Sequence, residues 1–172
     1  IVNDVSALRH DPEMGPLVAR KRVPVVLMHM RGTPKTMQAS PAYKDVVGEV
    51  RSELSDYAEA AKRMGIRADQ IILDPGIGFG KRQKDNIALI RGLPRLSELG
   101  YPVLLGASRK SFIGRMLAPA GDPRPVEERL AGSLAVHLFA SLLGADIVRV
   151  HDVRETRDAL RVFSMLLDED SE

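Results

Sequence analysis

Three short segments hold the residues best suited to chemistry. The first is LDPGIGFGK, from Leu73 to Lys81, where an apolar run ends in Asp74 and glycines follow at 76, 78 and 80. Glycine lets backbone approach a flat ligand closely and permits positive φ. A carboxylate in that setting can accept two N–H donors from a ring that carries an amino group beside an N–H. The same aspartate can equally be a cap or turn former in a glycine-rich loop, and the run lacks the GxGxxG order of a dinucleotide fingerprint. The second segment is GASRKSFIG, from Gly106 to Gly114. Its Ser-Arg-Lys-Ser, set between an apolar strand and an apolar segment, has the form of a helix N-terminus aimed at an anion. Lys110 can donate to a ring carbonyl or bind a phosphate, and Ser111 can hold a carboxylate; a solvated basic turn is the plainer alternative. The third is RVHDV, from Arg149 to Val153. Arg149 and His151 are two apart on a strand and point the same way, which makes a paired anion site. Arg149 can also stack its guanidinium plane on an aromatic ring. Asp152 faces the other side and reads as a helix N-cap.

Weaker candidates lie upstream. Asn3 offers donor and acceptor for a heterocycle edge, or simply forms a turn at a strand end. Met28 can line an aromatic pocket or belong to the core. His29 reads as structural, His137 as helix packing and His10 as surface. Four histidines so scattered, with no HExxH or DxDxDG pattern, do not make a metal site.

These residues need elements to position them. Strand candidates are Ile1–Val5, Pro24–His29, Gln70–Asp74, Tyr101–Gly106 and Asp146–His151. They are apolar nearly throughout, as expected of parallel strands buried on both faces. Asp45–Gly65 places Val46, Val50, Leu54, Tyr57, Ala58, Ala61 and Met64 on one helical stripe. Asp85–Leu99 is helical but made irregular by Pro94. Arg124–Leu143 has Pro125 in its first turn and stops before Gly144. A last helix starts at Asp152 with Glu155 three residues on, and turns Val153, Thr156, Leu160 and Phe163 inward. Ala118–Pro125 is a linker. Met30–Lys44 has no clear period, and a loop that long after a strand is usually functional or mobile.

Alternating strands and helices make an α/β fold with a parallel sheet. Five units fit an open doubly wound sheet or part of a barrel, and the pattern alone does not separate them. The polar candidates sit at the carboxyl ends of strands, which suits both. Basic residues after the last two strands favour the barrel, whose common phosphate site lies there.

Bulk composition narrows the classes. A chain of 172 residues, 44% hydrophobic and 28% charged, is an ordinary globular domain. With 25 basic and 23 acidic residues the net charge is +2, which argues against a nucleic-acid partner. The absence of cysteine removes disulfides and thiol nucleophiles. No apolar run approaches the ~18 residues of a membrane span and no signal-peptide pattern opens the chain, so a cytoplasmic protein without a membrane partner is expected.

Together and in this order, DPGIGFGK, SRKS and RVHDV resemble the dihydropteroate synthase family, and the resemblance runs from Ile1 to about Phe163. It implies a (β/α)8 TIM barrel that joins 6-hydroxymethyl-7,8-dihydropterin pyrophosphate to p-aminobenzoate, giving dihydropteroate and pyrophosphate with Mg2+ assisting. By the resemblance, Asn3 and Asp74 bind the pterin edge, Met28 lines its pocket and Lys110 contacts it. Arg149 stacks on the pterin and reaches the anion, and His151 binds pyrophosphate. Gly78, Phe79, Arg109 and Ser111 lie near p-aminobenzoate, where sulfonamides compete. Lys110, Arg149 and His151 are the implied catalytic groups, and full-length members of the family are homodimers.

The resemblance also sets an expectation of incompleteness. A barrel of this type takes about 250 residues, so this single pterin-binding domain of residues 1–172 reads as strands four to eight with their helices. Roughly three βα units are absent, with the Asn motif that ligates the metal. Such a chain alone is expected to expose two sheet edges, to bind substrate poorly and not to turn over. Two rivals share the pattern. A pterin-dependent methyltransferase uses similar Asp and Asn residues but lacks a lysine in the position of Lys110. A non-catalytic truncated barrel only binds, or associates with a chain that supplies the rest.

Overall fold

A computed structural model of the chain describes residues 1–32, 42–118 and 120–168. The order of elements is β1 (Val2–Asp4), α1 (Met14–Lys21), β2 (Val25–Met28), α2 (Val46–Arg63), β3 (Ile71–Asp74), α3 (Gln83–Arg91) and α4 (Leu93–Ser97). It continues with β4 (Leu104–Leu105), α5 (Ser111–Leu117), α6 (Leu130–Leu142), β5 (Ile147–Val148) and α7 (Val153–Leu167). Short 3-10 turns at Ala68–Gln70 and Val126–Arg129 lead into β3 and α6.

The sheet decides the architecture. β1 pairs with β2, β2 with β3, and β4 with β5, all parallel. A bridge from Leu73 to Val103 joins β3 to the start of β4. Spatial order therefore equals chain order, without the reversal that defines a doubly wound sheet. Successive strands each turn one place further in the same sense, as in the wall of a (β/α)8 barrel. Among the described residues, β1 and β5 each have a strand neighbour on one side only.

Alternation along the strands splits the core into two clusters. Val25, Leu27, Ile71, Leu73, Val103 and Leu105 point outward and join helix residues such as Val50, Leu54, Leu89 and Leu96 in the larger cluster. Val26, Ile72, Leu104 and Ile147 point inward and form one layer of the barrel interior. Helix α2 shows why the outer layer holds. The Asp45 carboxylate accepts from Gly48 N at 3.1 Å and Glu49 accepts from the backbone of Lys44 and Asp45, which satisfies the first turn. Val46, Val50, Leu54, Ala58 and Ala61 then face the sheet, all buried.

Several expectations need correcting. Met64 is outside the α2 stripe, half-exposed at the helix end. Met14–Lys21 is helical although Gly15 and Pro16 mask it in the sequence. The segment 124–129 is not yet α-helix: Pro125 precedes a 3-10 turn, and α6 begins at Leu130. Pro94 opens α4, so the region 83–97 is two helices broken at Gly92. Asp152 occupies the N-cap position of α7, but its carboxylate makes no cap hydrogen bond because it is engaged by Arg109. Val153 is exposed, while Thr156 is the fully buried residue of that helix. The long loop after β2 lies largely in 33–41, outside the described residues.

His137 sits buried on α6, as packing requires, yet neither ring nitrogen has a hydrogen-bond partner. Burial lowers its pKa from 6.5 to about 4, with only the Asp152 charge opposing. The folded value is below the unfolded one. Its contribution is therefore intact above pH 6.5 and lost as pH falls toward 4. From pH 7 to pH 5 that costs about 2 kcal/mol. His137→Leu is expected to raise stability by about 1 kcal/mol at neutral pH and to remove that share of the acid loss. Urea unfolding at the two pH values checks it.

Candidate active site

The layer above Val26, Ile72, Leu104 and Ile147 forms the mouth of the wall at the carboxyl ends of the strands. Met28 and Asp74 face one another in register and both are buried. Gly106 and Arg149 continue the inward set two residues beyond Leu104 and Ile147. A Cβ on Gly106 would lie 2.6 Å from Arg149 Nη2, so the missing side chain lets the guanidinium lie across the end of β4. From there Arg149 Nη1 donates to Asn3 Oδ1 at 2.9 Å, and Nη2 stands 3.7 Å from Asp74 Oδ2. The sheet has curved enough for residues of its first, third and fifth strands to meet.

Asp74 is the electrostatic centre. Oδ1 accepts from Gly76 N at 2.7 Å, while Oδ2 is buried and accepts no hydrogen bond. Burial pushes its pKa up; the Gly76 N–H and the charges of Arg149, Lys110 and Lys81 pull it back. Lys110 donates to the carbonyl of Ile77 and rests 4.4 Å from the centre of the Phe79 ring. Burial lowers it to about 8 against the pull of Asp74. An acceptor with an open valence, a cation beside it and a thioether opposite suit a flat heterocycle with N–H donors on one edge and a carbonyl on the other.

The loop 75–80 is clamped from several sides. Gly78 N donates to Asn86 Oδ1 at 2.7 Å and Tyr43 OH donates to Gly80 O at 3.0 Å. Lys81 turns inward and donates to Phe79 O at 3.0 Å. Neither Lys81 nor Asn86 is a candidate on sequence grounds. Lysine seldom goes inside a core, so nothing but its place directly after the glycine run could have marked it.

At the other side of the mouth, Ser108 is buried and accepts from His151 N at 3.2 Å. Its hydroxyl lies 2.9 Å from His151 Nδ1. If the serine O–H donates to Nδ1, the ring proton sits on Nε2, on the exposed side, where it can donate to an anion. Arg109 has positive φ and sends its guanidinium to both oxygens of Asp152. Its backbone is held by Ser133 and Arg129.

Gly78, Lys81, Arg82, Asn86, Ser111 and Arg115 line a cleft of ≈ 610 Å³ beside the mouth. Gly78 and Ser111 are thus brought to one cleft. Arg115 adds a cation that the sequence argument missed, and Arg82 is engaged with Asp85. Phe79 stands between cleft and mouth beneath Lys110. Arg109 is directed away from that cleft, toward Asp152. Among the described residues no group of three or more His, Asp or Glu is placed to hold a metal ion. The described residues supply no carboxylate set that fits magnesium.

The sequence profile of the family described as "pterin binding enzyme" matches residues 1–151. The dihydropteroate synthase of Synechocystis sp. is 45% identical over 166 residues, covering 96% of this chain and 56% of that protein. The chain also superimposes on dihydropteroate synthase from Xanthomonas albilineans in complex with 7,8-dihydropteroate, with a TM-score of 0.86 at 47% identity, covering 96% of this chain and 58% of that one. The Yersinia pestis dihydropteroate synthase in a sulfonamide drug complex gives 0.89 at 37% identity, covering 96% and 58%. The chain thus spans little more than half the length of these relatives.

Proposed function

The chain belongs to the pterin binding enzyme family, and on that premise we propose that it acts in dihydropteroate synthesis. It joins 6-hydroxymethyl-7,8-dihydropterin pyrophosphate to p-aminobenzoate, with residues 1–172 serving as one pterin-binding domain. The observation that carries this is Asp74: a buried carboxylate with one oxygen that accepts no hydrogen bond, flanked by Lys110 and by Arg149 at 3.7 Å.

The pterin edge donates to Asp74 Oδ2, where its N–H groups replace a missing hydrogen bond. Asn3 reads the same edge. Lys110, now bound to Ile77 O, exchanges that carbonyl for the ring. Met28 covers one face of the heterocycle and the Arg149 guanidinium stacks on the other. The aniline nitrogen of p-aminobenzoate attacks the exocyclic methylene, the C–O bond to pyrophosphate breaks with its electrons going to oxygen, and the new secondary ammonium gives up a proton to water or to the departing pyrophosphate, leaving the secondary amine. Arg149 and His151 Nε2–H stabilise the departing charge. Ser111 and Arg115 hold the benzoate carboxylate in the cleft beside Gly78 and Phe79, which is where a sulfonamide competes.

We further infer a cytoplasmic protein, a homodimer when full length, with no nucleic-acid or membrane partner and with assistance from Mg2+ held by residues other than those described. No helix of the described residues is long and apolar enough to cross a membrane.

Competition titrations test the assignment. A sulfonamide is expected to displace p-aminobenzoate and to leave a bound pterin in place. The reading fails if the sulfonamide displaces the pterin alone or if neither ligand binds at all. Dihydropteroate formation by this chain alone is expected to fall far below that of full-length relatives.

A further inference from the structure

Behind the glycine-rich loop lies a second polar cluster that the mechanism above does not use. Lys81 is 4% exposed and His29 is fully buried. Lys81 Nζ lies 3.0 Å from His29 Nδ1, 3.0 Å from Phe79 O and 3.4 Å from His29 O. Those are three acceptors in reach of one buried side-chain nitrogen; burial lowers its pKa to about 7, and its ammonium form has three N–H donors, one for each. His29 Nε2 lies 3.0 Å from Glu53 Oε2. Glu53 is also held by Arg31, whose Nε donates to Oε1 at 2.9 Å, and by Tyr57 OH at 3.3 Å. Because the Glu53 oxygens accept from Arg31 and Tyr57, His29 donates to them through Nε2–H, which leaves Nδ1 to accept. Burial keeps the ring neutral, holding His29 at about 2.

The chain of contacts leads to the mouth. Lys81 fixes the Phe79 carbonyl, the Phe79 ring supports the Lys110 ammonium, and Lys110 faces Asp74. We propose, on top of the functional reading above, that Lys81 is a positioning residue, backed by His29 and Glu53. It orders residues 77–80 so that Phe79 and Lys110 present the correct face to both ligands. The charged and titratable groups around it are Asp74 and Lys110 toward the mouth, and His29, Glu53 and Arg31 behind it. A lysine on a surface loop would be left hydrated; a buried one that aims at one loop carbonyl, the His29 carbonyl just past β2 and one ring nitrogen is there to fix geometry.

The test combines titration with a pterin and with p-aminobenzoate on the unmodified chain, Lys81→Met and Glu53→Gln, with the imidazole ¹⁵N spectrum of His29. The expected result is that Lys81→Met loses roughly tenfold or more in affinity for both ligands and loses the nuclear Overhauser contact between the Lys110 methylenes and the Phe79 ring. Glu53→Gln, which keeps the lysine but frees the tautomer, is expected to lose about threefold. In the unmodified chain Nε2 is expected to be pyrrole-like and Nδ1 pyridine-like at neutral pH. A folded Lys81→Met that binds both ligands normally overturns the proposal, and so does a proton on Nδ1. If Lys81→Met does not fold, Glu53→Gln and the nitrogen spectrum decide. If the unmodified chain binds neither ligand, the functional reading fails first, while the nitrogen spectrum still tests the arrangement around Lys81.

Discussion

Gly76→Ala is expected to cost about 3–5 kcal/mol or to prevent folding altogether. A Cβ at residue 76 would lie 1.9 Å from the carbonyl oxygen of His29. That neighbour is backbone, fixed by the β2–β3 ladder through His29 N to Asp74 O at 2.8 Å. The φ of Gly76 is +67°, which adds roughly 1–2 kcal/mol for any residue with a Cβ. Relief requires the loop to move. Movement breaks the bond from Gly76 N to Asp74 Oδ1 and pulls Phe79 off Lys81. Gly100→Ala is the control. Its φ is +77°, and nothing lies within 4 Å of the added carbon. It should cost only about 1 kcal/mol. Urea unfolding of the two variants separates a steric requirement from a purely conformational one; equal losses would mean that the close approach to His29 does not matter.

Asp74→Asn is expected to weaken pterin binding by about 100-fold or more while leaving the thermal midpoint unchanged or raised. Asparagine keeps one oxygen for Gly76 N but turns the open acceptor into a donor. An N–H edge would then meet N–H, a mismatch of about 3 kcal/mol. The stability side has the opposite sign. Burial pushes the Asp74 pKa upward, so its ionised form destabilises the unliganded fold at neutral pH. A residue kept for the fold would lose stability when neutralised; one kept for a ligand should not. Calorimetric titration with a pterin, paired with a melting curve, reads both halves. Lost stability with retained affinity would reverse the assignment.

The strands were legible in the sequence because parallel strands buried on both faces leave short apolar runs, and all five fall within the expected segments. Their ends were less so: Tyr101–Gly106 contributes only Leu104–Leu105 to a ladder and Val103 to a bridge. Barrel against doubly wound sheet was not decidable from residue types, since strand order is a property of pairing and both folds place ligands at the same strand ends. The candidates on strand ends came together because register does the work: Met28 opposite Asp74, Arg149 two beyond Ile147. What the sequence concealed were partners far apart in the chain. Asp152 looks like an N-cap locally, yet it pairs with Arg109 over forty residues away. Lys81 looks like a surface cation after a loop, and two of its three acceptors belong to His29, just past β2. His137 reads as packing, and only the structure shows both nitrogens unpartnered. Local rules fail where a long-range polar contact outcompetes them.

In the proposed function Asp74 receives the donor edge of a pterin. The most direct measurement is the ¹³C carboxyl signal of Asp74 during titration with a pterin and, separately, with p-aminobenzoate. The expected result is a saturable shift with the pterin and none with p-aminobenzoate. A signal that ignores the pterin, or follows p-aminobenzoate instead, would contradict the account.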